Sequence, residues 1–275
     1  MSAEPAVEHV AGLPPPPLRP YASSMVGYRM SGLPSGIHLG MPSATVTLVI
    51  SLDRPLTVTP DTGAPAELAA CVGGPHTRAV AVHHDGTQHG IQVDLTPAGC
   101  RALLGVPAGE VASACLELGD VIGGRAQRLR DAVHEEAEWE RRFALVVVTL
   151  SRTRAARPVD DRLDRTWRRI AATAGSVRVA DLASATGWST RQLTERFTRE
   201  YGMGPKTACR LSRFGRAHRL LQAGRPGAEV AARCGYADQP HFVRDWREFT
   251  GTTPTGWVAS DDLAFVQDRV GACSA

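Results

Sequence analysis

The sequence predicts an α+β chain in two parts. A strand-rich, sensor-like N-terminal domain is closed by a pair of helices, and an all-α C-terminal domain follows, built on a duplicated two-helix unit with a central helix between the copies. Three observations lead to this. Apolar residues form short β-branched or alternating runs as far as Pro97 and then recur every three or four residues. Positive charge collects beyond Pro158: residues 1–157 carry 13 arginines against 15 acidic residues, whereas residues 158–257 carry 17 basic against 10 acidic residues. A segment near residue 180 is repeated about 48 residues later. A length of 275 residues suits about two domains.

The first 20 residues include Pro14-Pro15-Pro16-Pro17, a stiff stretch expected to be disordered and to join no core. A sensor or dimerisation domain is assigned to residues 21–150. Within it, Thr45–Leu52 is β-branched and bounded by Pro42 and Pro55, Ala79–Val82 ends near the turn dipeptide Asp85-Gly86, and Gln88–Leu95 alternates up to Pro97. Strands so closely spaced suggest a small antiparallel sheet or barrel. Ile122, Ala126, Leu129 and Val133 then take helical spacing, as do Trp139, Phe143, Val146, Val147 and Leu150, with a break between His134 and Trp139. This pair either covers the sheet or forms a dimer interface. Residues 151–158 read as an Arg-rich linker ending in Pro158. The second domain, residues 159–260, opens with a helix over Val159–Ala172 that lines up Leu163, Trp167 and Ile170, and residues 261–275 form a tail.

The composition excludes several classes. Six scattered cysteines without a CxxC argue against a zinc site and against a disulfide scaffold. Apolar runs such as Val46–Ile50 and Phe143–Val148 are too short to span a bilayer, and the N-terminus lacks a basic and apolar leader. A soluble, cytoplasmic protein is expected, with no membrane partner. No GxSxG, Walker loop or strand-borne GxGxxG is present, so no catalytic residue and no cofactor are assigned. His76, His83, His84 and His89 cluster near a turn, but adjacent His83 and His84 would point to opposite faces of a strand, and no metal site is assigned to them.

The repeat carries the functional argument. Val179–Trp188 matches Ala228–Tyr236, so that Ala183 and Gly187 correspond to Ala231 and Gly235, and Trp188 to Tyr236. Beyond the turn the offset grows by one: Leu193 matches Phe242, Phe197 matches Trp246, Gly202 matches Gly251 and Pro205 matches Pro254. A small residue lets two helices cross closely, and a glycine four residues on takes positive φ and ends the first helix. An apolar pair at i, i+4 then buries one face of the second helix and leaves the other exposed. This is helix-turn-helix geometry made twice. Between the copies, Pro205–Gln222 places Leu211, Phe214, Ala217, His218 and Leu221 at helical spacing and would span roughly 25 Å, enough to hold two recognition helices about one DNA turn apart.

The second unit and the central helix resemble the DNA-binding domain of the AraC/XylS family of transcription regulators. The resemblance lies in Val230-Ala231-x-x-Cys234-Gly235-Tyr236-x-Asp238-Gln239-x-His241-Phe242-x-Arg244-x-Trp246-Arg247-x-Phe249-Thr250-Gly251-x-Thr253-Pro254, and in Arg210-Leu211-x-Arg213-Phe214-x-x-Ala217-x-x-Leu220-Leu221. It covers about a third of the chain. Trp246 stands where phenylalanine is more usual, and Pro240 sits in the first turn of the second recognition helix, where proline is tolerated.

With Leu193 and Phe197 inward, Thr190, Arg191, Thr194 and Glu195 point outward. Arg191 suits guanine and Glu195 suits cytosine N4, and the resemblance also implies base reading at Arg191, Thr194 and Glu195. Gln239, His241 and Arg244 face outward on the second helix by the same logic. Arg196, Arg199, Arg210, Arg213 and Arg247 are assigned to phosphate, and Trp188, Tyr236, Phe214 and Trp257 to the core rather than to base stacking. The expected partner is double-stranded DNA, with the protein nucleoid-associated. A small-molecule effector at the first domain, a homodimer and contact with RNA polymerase are open to it. Two alternatives stand beside this reading: a DNA-targeted enzyme of the repair-fusion kind, and a regulator whose first domain binds only protein.

Overall fold

The computed structural model describes residues 6–61, 63–152 and 158–260. Among the described residues the N-terminal domain contains ten strands: β1 (Ala6–Gly12), β2 (Ala22–Ser31), β3 (Gly36–Gly40), β4 (Val46–Ser51), β5 (Leu56–Thr59), β6 (Ala66–Leu68), β7 (Ala70–Gly73), β8 (Val80–His84), β9 (Gln88–Leu95) and β10 (Cys115–Glu117). Six of them form an antiparallel sheet in the order β1-β2-β9-β4-β7-β10, and four form a second sheet in the order β3-β8-β5-β6. The strands read from β-branched and alternating runs are β4, β8 and β9. β9 lies at the centre of the larger sheet, paired on both sides, with Ile91 facing Gly27 of β2 and Ile50 of β4.

One expectation is corrected. Ala6–Gly12, assigned to a disordered proline-rich tail, is an edge strand in register with β2, from Ala6 opposite Ser31 to Gly12 opposite Met25. The prolines follow this strand rather than interrupt it. They form a short 3-10 turn at Pro16–Leu18 that buries Leu18. Proline stiffness therefore shapes a corner here and does not exclude the segment from the core.

The period-two alternation of the larger sheet feeds two cores. Met25, Leu48, Val72 and Val93 face the helices, whereas Val26, Val49 and Cys71 face the smaller sheet. The helix side is covered by α1 (Pro97–Gly99), which runs on as a π-helical turn at Cys100–Leu104, by α2 (Leu118–Ile122), α3 (Arg125–Glu135) and α4 (Trp139–Ser151). Phe143, Val146 and Leu150 of α4 and Ala126, Leu129 and Val133 of α3 pack into that core, so the helical pair covers the sheet. The break falls at Glu136–Glu138, where the buried Arg142 donates from Nε to the carbonyls of Val133 (3.1 Å) and Glu136 (2.7 Å) and so caps the end of α3.

The linker assigned to residues 151–158 falls largely on 153–157, outside the described residues, as does the tail at 261–275. Beyond the linker the described residues form only helices and turns: α5 (Asp161–Ala172), α6 (Val179–Thr186), α7 (Thr190–Tyr201), α8 (Pro205–Gln222), α9 (Gly227–Arg233), α10 (Gln239–Thr250) and α11 (Pro254–Ser260). Their core gathers Leu193, Phe197, Phe214, Ala217, Phe242, Trp246 and Trp257, together with Met41 from the first domain.

The two domains meet at the ends of the second helix of each unit. A Cβ added to Gly109, in the 3-10 turn Ala108–Glu110, would lie 2.3 Å from the Arg199 carbonyl oxygen, and one added to Gly202 would lie 2.2 Å from the Ala112 Cβ. Backbone therefore touches backbone at the C-terminal end of α7. At the end of α10, the Ala79 N–H donates to the Phe249 carbonyl at 3.2 Å.

Candidate nucleic-acid interface

Each two-helix unit is built by local chemistry that the repeat encodes. Gly187 caps α6 at φ 70° and Gly235 follows α9 at φ 71°, and a Cβ at either would meet nothing within 4 Å. The conformation, not crowding, calls for glycine at both positions. Ser189 and Gln192 then form a capping box at the start of α7: the Gln192 N–H donates to Ser189 Oγ (3.2 Å) and the Ser189 N–H to Gln192 Oε1 (3.0 Å). At the matching place in the second unit Asp238 caps α10 by accepting the His241 N–H at 2.6 Å. Pro240 sits in the first turn without disturbing the helix. Gly202 and Gly251 close α7 and α10, each at φ 75°.

The assigned side chains fall on the outer faces of α7 and α10. Thr190, Arg191, Thr194 and Glu195 are exposed around the buried pair Leu193 and Phe197, and Gln239 and Arg244 are exposed around Phe242 and Trp246. Several are modified by their neighbours. The Thr194 hydroxyl donates to the Thr190 carbonyl at 2.8 Å. Glu195 pairs with Arg199 at 3.3 Å, an exposed i, i+4 contact that is weak and readily exchanged. His241 is half-buried; its Nδ1 accepts the Ala237 N–H at 3.4 Å and its ring meets Tyr236 edge-on at 5.3 Å, so it is held partly inside the turn.

The five arginines assigned to phosphate divide. Arg199 and Arg247 are exposed, and Arg196 is exposed with its guanidinium 4.9 Å from the centre of the Trp188 ring, which also lies 4.1 Å from Arg162. Arg210 is corrected: its Nε donates to Asp245 at 2.9 Å and its Nη1 and Nη2 to Glu248 at 2.9 and 2.6 Å. These partners hold its charge-bearing protons firmly, and Glu248 in turn lies below the usual carboxylate range because of Arg210. Arg213 is half-buried; it donates to the Gly175 carbonyl at 3.4 Å and lies 5.3 Å from the Tyr236 ring centre. Both tie α8 to the flanking units, so Arg210 and Arg213 hold the domain together.

The periodicity did not single out Arg178 and Lys206. Both are exposed and line a cleft between the units together with Arg213 and Arg244. Neither lies on a recognition helix, and only the packing of α6 and α8 brings them beside Arg244. Of the residues assigned to the core, Phe214, Tyr236 and Trp257 are buried there, and Trp188 packs against the same core between Arg162 and Arg196. In the first domain the histidines are separate: His83 bonds Thr59 Oγ1 at 2.9 Å, His89 meets Arg142 at 3.2 Å, and His76 Nδ1 bonds the Gly74 carbonyl at 3.0 Å.

Comparison with known proteins agrees with this geometry. Residues 182–260 match a family described as a helix-turn-helix domain. A 69-residue stretch is 33% identical to the uncharacterized HTH-type transcriptional regulator YbfI of Bacillus subtilis (strain 168) and covers 25% of each chain, so the chain spans about a quarter of the length of this curated relative. Over 86% of this chain and 97% of the other, the fold is that of ToxT from Vibrio cholerae, at 11% identity and a TM-score of 0.51. A second ToxT structure, bound to (E)-4-(8-methylnaphthalen-1-yl)but-3-enoic acid, matches with a TM-score of 0.52 at 10% identity over the same shares. The strand-rich first domain and the helical second domain thus follow a known two-domain arrangement. No helix among the described residues is long and apolar enough to cross a membrane. The tandem helix-turn-helix units joined by α8 are an AraC/XylS-type DNA-binding domain.

Proposed function

We propose that this chain binds specific DNA sequences to regulate transcription, laying α7 and α10 in successive major grooves, and that its first domain modulates this binding. The observation that carries the reading is the doubled exposed face: two capped helices, each with its apolar pair inward and its polar N-terminal half outward, are braced on one central helix. Arg191 and Gln239 read base edges near the starts of their helices, Thr194 contributes to the same reading face, and Glu195 exchanges Arg199 for a cytosine amino group. Arg244 reaches a base or a phosphate, and His241 contributes through its exposed edge. Arg196, Arg199 and Arg247, with Arg178 and Lys206 in the cleft, supply phosphate affinity and its salt dependence. A small-molecule effector fits a cavity of about 370 Å³ between the two sheets, lined by Val49, Leu56, Val58 and Val82 and by the polar groups of Tyr28 and His76. The ligand-bound ToxT structure supports an effector in a protein of this fold. Thr77, Arg78, Ser113 and Ala114 line the same cavity and flank the contacts made with the ends of α10 and α7, which gives an effector a short route to both helices.

The test is selection of genomic fragments by the purified protein at two salt concentrations. Recovery of a shared motif with two half-elements about one helical turn apart, retained at the higher salt, is expected. Recovery of sequence-blind, salt-sensitive DNA alone would overturn the reading. A metabolite thermal-shift screen separates effector control from a purely protein-binding first domain, because reproducible stabilisation by one compound is expected only in the former.

A further inference from the structure

The wall of the inter-sheet cavity contains two thiols, Cys71 of β7 and Cys115 of β10. In the β7–β10 ladder Cys115 stands opposite Gly73 and Glu117 opposite Cys71, so the two cysteines sit diagonally on the cavity face. Val72, between Cys71 and Gly73 on β7, turns to the helix-side core. Because the residue directly across from Cys115 is glycine, no side chain of that ladder pair stands between the two thiols, and each shifts the acidity of the other. Cys71 is buried and Cys115 half-buried. Cys100, Cys209 and Cys234 are buried in the two other cores.

We propose that Cys71 and Cys115 form a reversible dithiol–disulfide site, oxidised by a small hydroperoxide that enters the cavity, and that closing the disulfide changes the hold of residues 108–114 on the end of α7. The first half stands on the thiol geometry alone; the second rests on the DNA-binding reading. Their surroundings make the roles unequal. The neighbouring Cys71 holds the Cys115 thiol below its usual value, and Cys115 together with burial pushes that of Cys71 up.

Cys115, as thiolate, attacks the outer oxygen of the hydroperoxide. The oxygen–oxygen bond breaks, Cys115 becomes a sulfenic acid, and the alkoxide leaves as the alcohol after taking up a proton. The Cys71 sulfur then attacks the sulfenic sulfur and displaces its oxygen, which departs with the Cys71 proton as water. Overall, two thiols and one hydroperoxide give one disulfide, one alcohol and one water, and the two electrons lost by the sulfurs reduce the peroxide.

A disulfide brings its sulfurs to about 2.05 Å, closer than two unbonded thiols sit, so one strand has to shift. β10 is the partner with the fewer ladder contacts to lose: it is three residues long and lies at the edge of its sheet. The chain just before it is tied to its surroundings, with the Gly74 N–H donating to the Ala114 carbonyl at 3.0 Å and the Ser113 N–H to the Pro75 carbonyl at 2.9 Å. Further back, Ala112 and Gly109 press on Gly202 and Arg199. A shift of β10 toward β7 therefore pulls on the contact that holds α7.

The experiment uses the reduced full chain and tert-butyl hydroperoxide, with remaining thiols blocked by N-ethylmaleimide, peptide mapping without reductant, and DNA affinity measured before and after oxidation. The expected result is loss of two of the six thiols, a Cys71–Cys115 linked peptide that dithiothreitol reverses, and a change of roughly fivefold or more in DNA affinity. Cys71→Ser should form no link and should accumulate a dimedone-reactive sulfenic acid on Cys115. Cys115→Ser should lose both the link and the affinity change while melting like the parent chain. Absence of the link, or oxidation falling on Cys100, Cys209 or Cys234 instead, would overturn the site. A link that leaves DNA affinity unchanged would overturn the coupling. Failure of the reduced chain to select any DNA sequence would overturn the proposed function and leave the thiol result readable.

Discussion

Arg101 grips Glu200 across the domain boundary with both arms of its guanidinium: Nε lies 2.7 Å from Oε1 and Nη2 lies 2.6 Å from Oε2. Glu200 belongs to the last turn of α7, and its side chain is only 10% exposed. The fork-to-fork geometry is both strong and directional. The first domain thus fixes the rear of a recognition helix whose front faces solvent, close to the point where Gly109 and Gly202 bring the two backbones together.

Removing the guanidinium with Arg101→Ala strands a largely buried carboxylate. The expected loss is about 1–3 kcal/mol of interdomain docking. In calorimetry the variant should unfold in two separated transitions at lower temperature than the parent chain, and Arg101→Lys should recover only part of the loss because an ammonium cannot pair bidentately. An unchanged melting profile for Arg101→Ala would show that the pair does not hold the domains together.

Two kinds of glycine can be told apart by substitution. At Gly187 and Gly235 there is space for a methyl group but the backbone is left-handed, so Gly187→Ala and Gly235→Ala should each cost about 1–2 kcal/mol and weaken DNA binding while leaving the first domain folded. A valine at Gly187, stiff at its branched carbon, should abolish binding at ordinary protein concentrations. Gly202 combines left-handed φ with the Ala112 Cβ at 2.2 Å from any added methyl. Gly202→Ala should therefore cost more than Gly187→Ala and should also release the first domain, seen as faster proteolysis between the domains. Equal stability for the two alanine variants would contradict the close approach.

How much of this was legible in the sequence depended on how local the cause was. Gly187, Gly235 and the apolar pairs of α7 and α10 announce themselves because each acts within one or two helical turns and the pattern occurs twice. The strands β4, β8 and β9 were legible as β-branched or alternating runs. β1 was hidden by the prolines next to it, and β7 and β10, only four and three residues long, carry too few alternations to stand out. Arg210 shows the limit most clearly. Its spacing on α8 reads as an outward basic residue, but the carboxylates that claim it, Asp245 and Glu248, are 35 and 38 residues away on α10. The Arg101–Glu200 pair, 99 residues apart, has no local signature at all.

The arginines of the second domain should separate by phenotype. Arg191→Ala should lose about 1–3 kcal/mol of specific binding and relax preference at one base position. Arg196→Ala should weaken binding to all sequences alike and lower the salt slope by roughly one unit. Arg210→Ala should instead lower the melting temperature, because it leaves the buried Asp245 unpaired, and it should alter DNA binding only as far as folding is lost. A selection experiment on the three variants, read together with their melting curves, distinguishes these outcomes. An unchanged base preference in Arg191→Ala would remove that residue from the reading face.

Acid should weaken the second domain through His218. Its ring is buried, lies parallel to Phe214 at 6.1 Å and meets Trp257 edge-on at 4.7 Å. Burial, aided by the nearby Arg219 charge, lowers its pKa from 6.5 to about 4. Between those values the unfolded chain binds a proton that the folded chain refuses. The stability contributed by the neutral ring is therefore fully present above pH 6.5 and is lost as pH falls toward 4, by up to about 2–3 kcal/mol. His89 in the first domain titrates in the same window, lowered to about 4 chiefly by burial and then by Arg29 and Arg142, so the parent chain mixes both effects. His218→Phe keeps an aromatic ring against Phe214 and cannot take up the proton. Its melting temperature should fall less steeply than that of the parent chain between pH 6.5 and 4, and the difference between the two curves isolates His218. Parallel curves would mean that the buried ring accepts its proton in the folded state after all.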